Sequence, residues 1–563
     1  MHSTIDLSYR ATLPEFLDVI YPEVAEHIRE SFNDLIDQLG HENRESLSYW
    51  LASAELRNPT VCRLFHDLIF VTMVKDAKIF PHPCRILIDN PYLVSTLGQS
   101  DSLRKRGIIL VRKHSQLIYA LRKVRRYFYG VHSVIRFLVE LTLIRLASSC
   151  PSVIYEQDLT LIDTFAIQGF ITEDRYYTGL YDSLDTAEKK KVRFVPQFSD
   201  LNFWKLFKAS KLLNKRSDKF FVKEAFIRWR DVISILRLKN ETKRLKVNNV
   251  RFKNFDVSNL LERELQSVER VHGVLRGALN YYFVANLKRN EWNIGKAVCW
   301  FENQSIDKGW SKGFTEYFPE IDTVGYQGFV AGPMSVRPLS IEALAGAVPK
   351  YIGVMGKGFI DDCLEFDANI LKTQIVPAFR FSWIDSPQRQ LSKFNADQFI
   401  TILIVLPGDK RICDRVISIL RDLDGGLENG VFLIKTHPRV SFGSLISRNQ
   451  TLFTDVSSKM MGELFQRAHV VISTEMTSAG YEAALRGLPV IVVSPDSCSR
   501  DLMPQGMPST LWYLARTTDQ IKHAYKKIIN LYNQEFSFVS QAEVAREHCL
   551  AKVTEKSVRK LLF

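Results

Sequence analysis

Short aliphatic runs recur at regular spacing in the C-terminal part of the chain, near residues 400–406, 431–435, 451–454, 469–473 and 489–493. Helix-length segments of about 10 to 20 residues separate them. Strands that alternate with helices in this way form a parallel sheet with helical crossovers. The cadence therefore predicts a Rossmann-like domain over residues 396–530. Polar residues just after each run then belong to the carboxyl edge of the sheet, where such folds bind ligands. No G-x-G-x-x-G accompanies the runs, so the dinucleotide fingerprint is absent.

The first half repeats the pattern less regularly. Apolar residues at helical spacing, such as Leu17, Ile20, Val24 and Ile28, predict an N-terminal helical region over residues 1–80. Strands are expected at 85–89, 152–155, 159–163 and 192–196, with a helix near 174–187, and again at 297–302, 323–327 and 350–354. These assign residues 81–385 to another Rossmann-like domain, with a charged helical insertion over about 200–295 that covers one face. A polar linker around residues 382–396 joins the two. Helices from 518 onward are long enough to cross the cleft between the domains, and residues 531–563 are expected to return to the first. At 563 residues the chain exceeds what one core can organise.

The formal charge of +13 and pI near 9.2 favour anionic partners. Basic clusters such as Arg122-Lys123-Val124-Arg125-Arg126 and Lys189-Lys190-Lys191 read first as solvated helix faces, and second as a surface for membrane or acidic glycan. No nucleic-acid-binding signature accompanies them. Eight cysteines without a C-x-x-C pair or metal spacing read as reduced thiols in a cytoplasmic protein. The N-terminus lacks the regions of a signal peptide. The apolar segment at 133–148 is broken by Arg136, Glu140 and Arg145, so it is expected to be a packed helix or one lying on the inner membrane surface, not a span.

Two polar blocks stand at strand ends. Lys435-Thr436-His437-Pro438 closes the run at 431–435, and Pro438 stops the strand there. A histidine so placed can donate to phosphate or, protonated, neutralise it, and Lys435 and Arg439 add positive field. His82-Pro83 has no strand before it. The second block supplies hydroxyls at Ser473, Thr474, Thr477 and Ser478 where a strand turns into a helix, a place suited to an anion. Glu482 lies one turn beyond Ser478, where a carboxylate can accept from two ribose hydroxyls. As alternatives, Ser473 and Thr474 are helix caps and Glu482 a surface residue.

The arrangement Leu406-Pro407-Gly408, then K-x-H-P, then S-T-x-x-T-S-A-x-x-E-A-x-x-x-G-x-P-V-I resembles the C-terminal half of GT-B glycosyltransferases. It is similar in particular to bacterial enzymes of capsule and lipopolysaccharide assembly that use CMP-activated 2-keto sugars, the sialyltransferase and Kdo transferase type. The resemblance implies that His437, Ser473 and Thr474 hold the nucleotide phosphate and Glu482 the ribose. In the first half, Ser46-Leu47-Ser48-Tyr49-Trp50, Phe301-Glu302-Asn303-Gln304, Gly325-Tyr326-Gln327-Gly328 and Val376-Pro377-Ala378-Phe379-Arg380 resemble bacterial surface carbohydrate biosynthesis proteins. The implied partners are a nucleotide-sugar co-substrate, with no other cofactor, and a glycan or lipid-linked glycan acceptor.

Inverting transfer needs a base at the cleft edge of the first domain. Glu302, after a predicted strand, is the first candidate; Asp163 and Asp174 are the reserves, and Gln327 and Arg337 are candidate contacts to sugar or acceptor. Glu302 has an alternative role as cap of the helix beginning near Ser305. The sialyltransferase type carries an acidic-acidic-Gly motif that this chain lacks: Asp361-Asp362 precedes Cys363, and Asp422-Leu423-Asp424-Gly425 lies in the other domain. No D-x-D follows a strand, so no metal is expected. A CDP-glycerol-type polyol-phosphate transferase and a non-catalytic glycan-assembly subunit are the alternative functions.

Overall fold

The computed structural model describes the chain apart from residues 1–2, 10, 12, 60, 76, 82, 152–157, 331–336, 361–370, 386–398, 424–426, 446–452, 475–476, 495–502 and 505. The strand expected at 152–155, most of the linker, and Asp361-Asp362 lie outside the described residues.

Three parallel strands form a small sheet of their own: β1 (Ser3–Asp6), β2 (Cys84–Ile88) and β3 (Ile109–Arg112), in the order β1-β2-β3. Helices Glu15–Glu42, Leu47–Ser53 and Leu64–Lys75 accompany it, and its core of Phe32, Phe65, Leu68, Ile86, Leu261 and Ile341 is separate from the main one. The run at 85–89 is therefore the centre of this sheet, not the first strand of the larger one. Both of its edges are taken, by β1 and β3, which leaves no edge to join another sheet. The four-residue Ser-Thr-Ile-Asp of β1 carries too little apolar pattern to be read as a strand.

The second sheet comprises β4 (Leu159–Ala166), β5 (Val192–Phe198), then, after a short hairpin of β6 (Arg251–Phe252) and β7 (Phe255–Asp256), β8 (Ile294–Trp300), β9 (Asp322–Gln327), β10 (Tyr351–Val354) and β11 (Lys372–Ile375). It is all parallel, in the order β11-β10-β9-β8-β4-β5. The third comprises β12 (Ile400–Val405), β13 (Gly430–Lys435), β14 (Phe453–Asp455), β15 (Val470–Thr474), β16 (Val490–Val493) and β17 (Trp512–Ala515), parallel in the order β14-β13-β12-β15-β16-β17. That is the 3-2-1-4-5-6 order of the doubly wound fold. The doubly wound expectation holds in both sheets. β17 was not foreseen: as an edge strand it is only partly buried and shows no aliphatic run.

One expectation in the first half fails. The helix near 174–187 is absent: residues 174–184 are turns, because Gly179 takes a positive φ of 80°, and Asp185 caps a separate short helix, Thr186–Lys191. The segment 200–295 is mainly helical. Its last helix, Val271–Arg289, is almost wholly buried and lies backbone-to-backbone on helix Ser305–Tyr317. A Cβ on Gly309 would stand 1.8 Å from the Gly277 carbonyl oxygen, and one on Gly277 would stand 2.2 Å from that of Ser305. Only glycine permits this approach, and it fixes the turn that follows β8.

Helix Thr518–Asn533 packs on β16 and β17 of the third sheet, and the chain beyond it, through helices Phe538–Cys549 and Glu555–Leu562, returns to the second. Ala551 N–H donates to Met355 O at 2.6 Å, Ala378 N–H donates to Ala551 O at 2.9 Å, and Thr160 Oγ1 donates to the Leu562 carbonyl at 2.9 Å.

Candidate functional site

In each large sheet the strand order reverses at one place, between β4 and β8 and between β12 and β15. The carboxyl ends of strands at such a point diverge and leave a crevice. Glu302 follows β8 of the second sheet; Pro407-Gly408 follow β12, and Thr477 to Glu482 follow β15, of the third.

Lys435 ends β13 with its ammonium donating to the carbonyls of Ser457 at 3.0 Å and Lys459 at 2.6 Å. It therefore holds the 457–459 turn, which Thr436 also grips through the Ser457 hydroxyl. His437 is exposed, and its Nδ1 accepts from the Arg439 N–H at 3.2 Å, which assigns the ring proton to Nε2. Pro438 shapes the turn closed by Val440 N–H on His437 O, at 2.8 Å. Gly408 lies against the ring: a Cβ there would be 3.2 Å from Nδ1. Loss of solvent on that side, then the charges of Arg439 and Arg175, hold the imidazole pKa below its ordinary 6.5. Of the two states the sequence left open, this favours the neutral ring with Nε2–H as donor.

The hydroxyls after β15 do not form one open cluster. Ser473 is buried beneath Gly480, whose added Cβ would be 2.8 Å from its Oγ, and its hydroxyl turns to the Thr474 carbonyl at 3.4 Å. Thr474 is buried too, and its hydroxyl finds no partner among the described residues. Thr477 Oγ1 accepts from Ala479 N–H at 3.3 Å in the turn that leads into helix Ala479–Leu485. Ser478 Oγ donates to Glu482 Oε1 at 2.7 Å. Burial raises the Glu482 pKa, while this bond and the charges of Arg380 and Arg175 oppose the rise. Glu482 is half-buried rather than a free surface residue.

On the facing side Glu302 accepts twice, from Trp300 Nε1 at 2.7 Å and from Gln304 Nε2 at 2.6 Å. It does not cap the Ser305–Tyr317 helix. Asp307 does that, taking the N–H groups of Glu302 at 3.0 Å and Gln304 at 2.8 Å. Glu302 is half-buried, and burial raises its pKa against the pull of Trp300 and Arg380. The reserves are placed differently. Asp174 accepts from the N–H groups of Tyr176 at 2.7 Å and Tyr177 at 3.0 Å and from Thr164 Oγ1 at 3.1 Å, so it builds the turn carrying Arg175. Asp163 sits inside β4, not at its end; it is buried 4.0 Å from the Lys223 ammonium, and burial pushes its pKa up to about 7. Gln327 ends β9 as a buried residue. Arg337 is buried beside Arg57, which donates to its carbonyl, so it is not presented to the cleft.

Two arginines of the first half bear on groups of both. Arg175 acts electrostatically on His437 and Glu482; Arg380 acts on Glu302, Glu482 and Tyr176. Tyr176 stacks edge-on against Trp300 at 4.6 Å, beside Glu302, and Arg439 meets Asp200 across the lobes at 2.9 Å. Sequence reasoning passed over both guanidiniums, although each was in view: Arg175 follows Asp174 in Glu-Asp-Arg-Tyr-Tyr, and Arg380 closes Val-Pro-Ala-Phe-Arg. The signal was an arginine beside aromatic residues just past a strand. Two guanidiniums and a neutral N–H donor suit a phosphate or diphosphate, and a half-buried carboxylate opposite suits proton abstraction. No group of three or more His, Cys, Asp and Glu side chains among the described residues could hold a metal ion.

No protein-family model matches the sequence, and comparison with curated proteins gives no match. Among solved structures the chain is similar to Acinetobacter baumannii MurG (TM-score 0.39, 11% identity, 72% of this chain and 99% of that one). It is also similar to the glycosyltransferase SnogD from Streptomyces nogalater (0.36, 11%, 72% and 99%). A third is UDP-GlcNAc 2-epimerase from Neisseria meningitidis bound to UDP-GlcNAc (0.38, 11%, 69% and 99%). With two large doubly wound parallel sheets and a C-terminal segment that returns to the second sheet, the chain has a GT-B-like fold.

Proposed function

We propose that the protein is a glycosyltransferase that moves a sugar from a nucleotide donor to a surface polysaccharide or lipid-linked glycan. The donor in this reading is a CMP-activated nonulosonic or Kdo-like acid. One observation carries it: Arg439, two residues past His437, pairs with Asp200 of the first half at 2.9 Å, and the charge of Arg380 bears on both Glu482 and Glu302. The guanidiniums and the His437 Nε2–H bind the donor phosphate and stabilise it as it leaves; Glu482, oriented by Ser478, accepts from the ribose. Glu302 takes the acceptor hydroxyl proton as the new glycosidic bond forms and the bond from anomeric carbon to phosphate oxygen breaks, which inverts the centre.

Thermal shift with CMP, CDP, UDP, GDP and dTDP tests the donor, because a ligand of the folded state raises its stability. Cytidine nucleotides are expected to bind, and His437→Ala and Arg175→Ala to weaken them. Binding of another base alone would sink the CMP donor and leave glycosyl transfer standing. A phosphodiester product would replace the reading by a polyol-phosphate transferase, and binding without turnover on any acceptor by a non-catalytic subunit.

A further inference from the structure

We infer that the outward face of helix Gln116–Ala147 docks on an anionic lipid bilayer. The inference deepens the proposed function, on whose lipid-linked acceptor it rests for its purpose but not for its geometry. The helix has 32 residues, roughly 48 Å at 1.5 Å per residue. Gly130, Ser133, Phe137, Glu140, Leu141 and Ile144 face the protein. On the opposite side Leu117, Leu121, Val124, Phe128, Ile135 and Leu146 follow one another at steps that keep them on one stripe. This stripe points into solvent: Leu117 is 69% exposed, Phe128 65% and Leu146 74%. Of the helices described, none is long and apolar enough to cross a membrane, so the stripe suits a helix lying in the interface plane.

Charge selects the occupant. Arg125 and Arg136 lie beside the stripe, Arg122 and Lys123 lie further round the helix, and Arg126 lies on its far side, where it pairs with Glu269 at 3.2 Å; the helix's single acidic residue, Glu140, is buried and paired with Arg136 and Arg276. The spacing would also fit a second copy of the helix, but the helix carries no exposed acid to answer the Arg122, Lys123 and Arg125 of a partner copy. Phosphate head groups answer them directly. The same helix walls a cleft of about 520 Å³ through Tyr129, His132 and Arg136, and the opposite wall includes Gln304, which bonds Glu302. A bilayer on the stripe therefore lies beside the acceptor side of the site.

The test is cosedimentation of the full chain with vesicles of pure phosphatidylcholine and of equal parts phosphatidylcholine and phosphatidylglycerol, with CMP binding measured on the same samples. Binding to the anionic vesicles only, weakened by salt, is expected. Leu121→Glu with Phe128→Glu should reduce it by at least about tenfold, and Lys123→Glu with Arg125→Glu should reduce it mainly at low salt. All four positions are exposed, so thermal midpoints should not move. No binding to either vesicle, binding that the apolar pair leaves unchanged, or a dimer that this pair dissolves would overturn the inference. Vesicle binding lost with CMP binding intact refutes only the docking surface; the reverse refutes only the donor reading.

Discussion

Replacing Glu302 by Gln removes the carboxylate's charge with almost no change of shape. Both oxygens already accept, from Trp300 and Gln304. An amide keeps one acceptor and turns its NH2 toward the other donor, leaving one donor unmatched at about 1–3 kcal/mol. An opposing effect comes from the titration. Burial raises the Glu302 pKa above its ordinary 4.5. A carboxyl raised in the folded state contributes stability below its unfolded pKa and loses it as pH rises through the folded pKa. The glutamine has no such loss, so the variant should be less stable than the parent in acid and close to it at neutral pH. The effect on transfer should be far larger. A general base contributes about a hundredfold to ten-thousandfold in rate, or about 2.7–5.5 kcal/mol. Donor consumption and product formation are to be followed against pH beside calorimetric melting. The expected result is a fall in kcat of at least about a hundredfold with nucleotide affinity unchanged. The acid limb of kcat, displaced above the usual carboxylate range, should vanish. A variant that keeps a tenth or more of kcat, or loses activity only as it loses stability, refutes Glu302 as the base.

Arg175→Ala and Arg380→Ala should each lower nucleotide affinity by about ten- to a hundredfold, since charge-assisted bonds to phosphate contribute about 1.5–3 kcal/mol; unchanged titration calorimetry would remove them from the site. His437→Ala should weaken binding less, by about 1 kcal/mol for a neutral donor. Because its pKa is lowered, affinity in the parent should stay flat from about pH 6.5 to 8; a steady gain in affinity as pH falls across that interval would show a protonating ring instead. Gly309→Ala should lower stability by about 1–3 kcal/mol or more, because the added methyl meets a carbonyl at 1.8 Å. Gly462→Ala, with nothing within 4 Å, should be neutral or stabilising by up to about 1 kcal/mol. Similar melting of the two would refute the close helix packing.

The legible parts of this chain were those whose physics is local. Strands buried on both faces must be aliphatic throughout, so β12, β13, β15 and β16 showed in the sequence, and the order of strand and helix announced parallel sheets. β17 and β1 did not show, because an edge strand and a four-residue strand need little apolar pattern. Ser473 and Thr474 carried the right chemistry in the right place, yet adjacent strand residues point to opposite faces and here both are covered. Asp163 looked like a strand end only because β4 runs on through Thr164 and Phe165, residues that a sequence cannot separate from a turn.

The sequence by itself determined the fold class and the two polar blocks at strand ends, since periodicity and strand-end chemistry are properties of neighbouring residues. The tertiary structure alone decided which side chains meet. It turned Lys435 and Asp174 into holders of turns and buried Arg337. It also brought Arg175 and Arg380, about two hundred residues apart, into the field of Glu482. Electrostatic and hydrogen-bond partners depend on distance in space, and the crossover connections of two facing sheets set that distance.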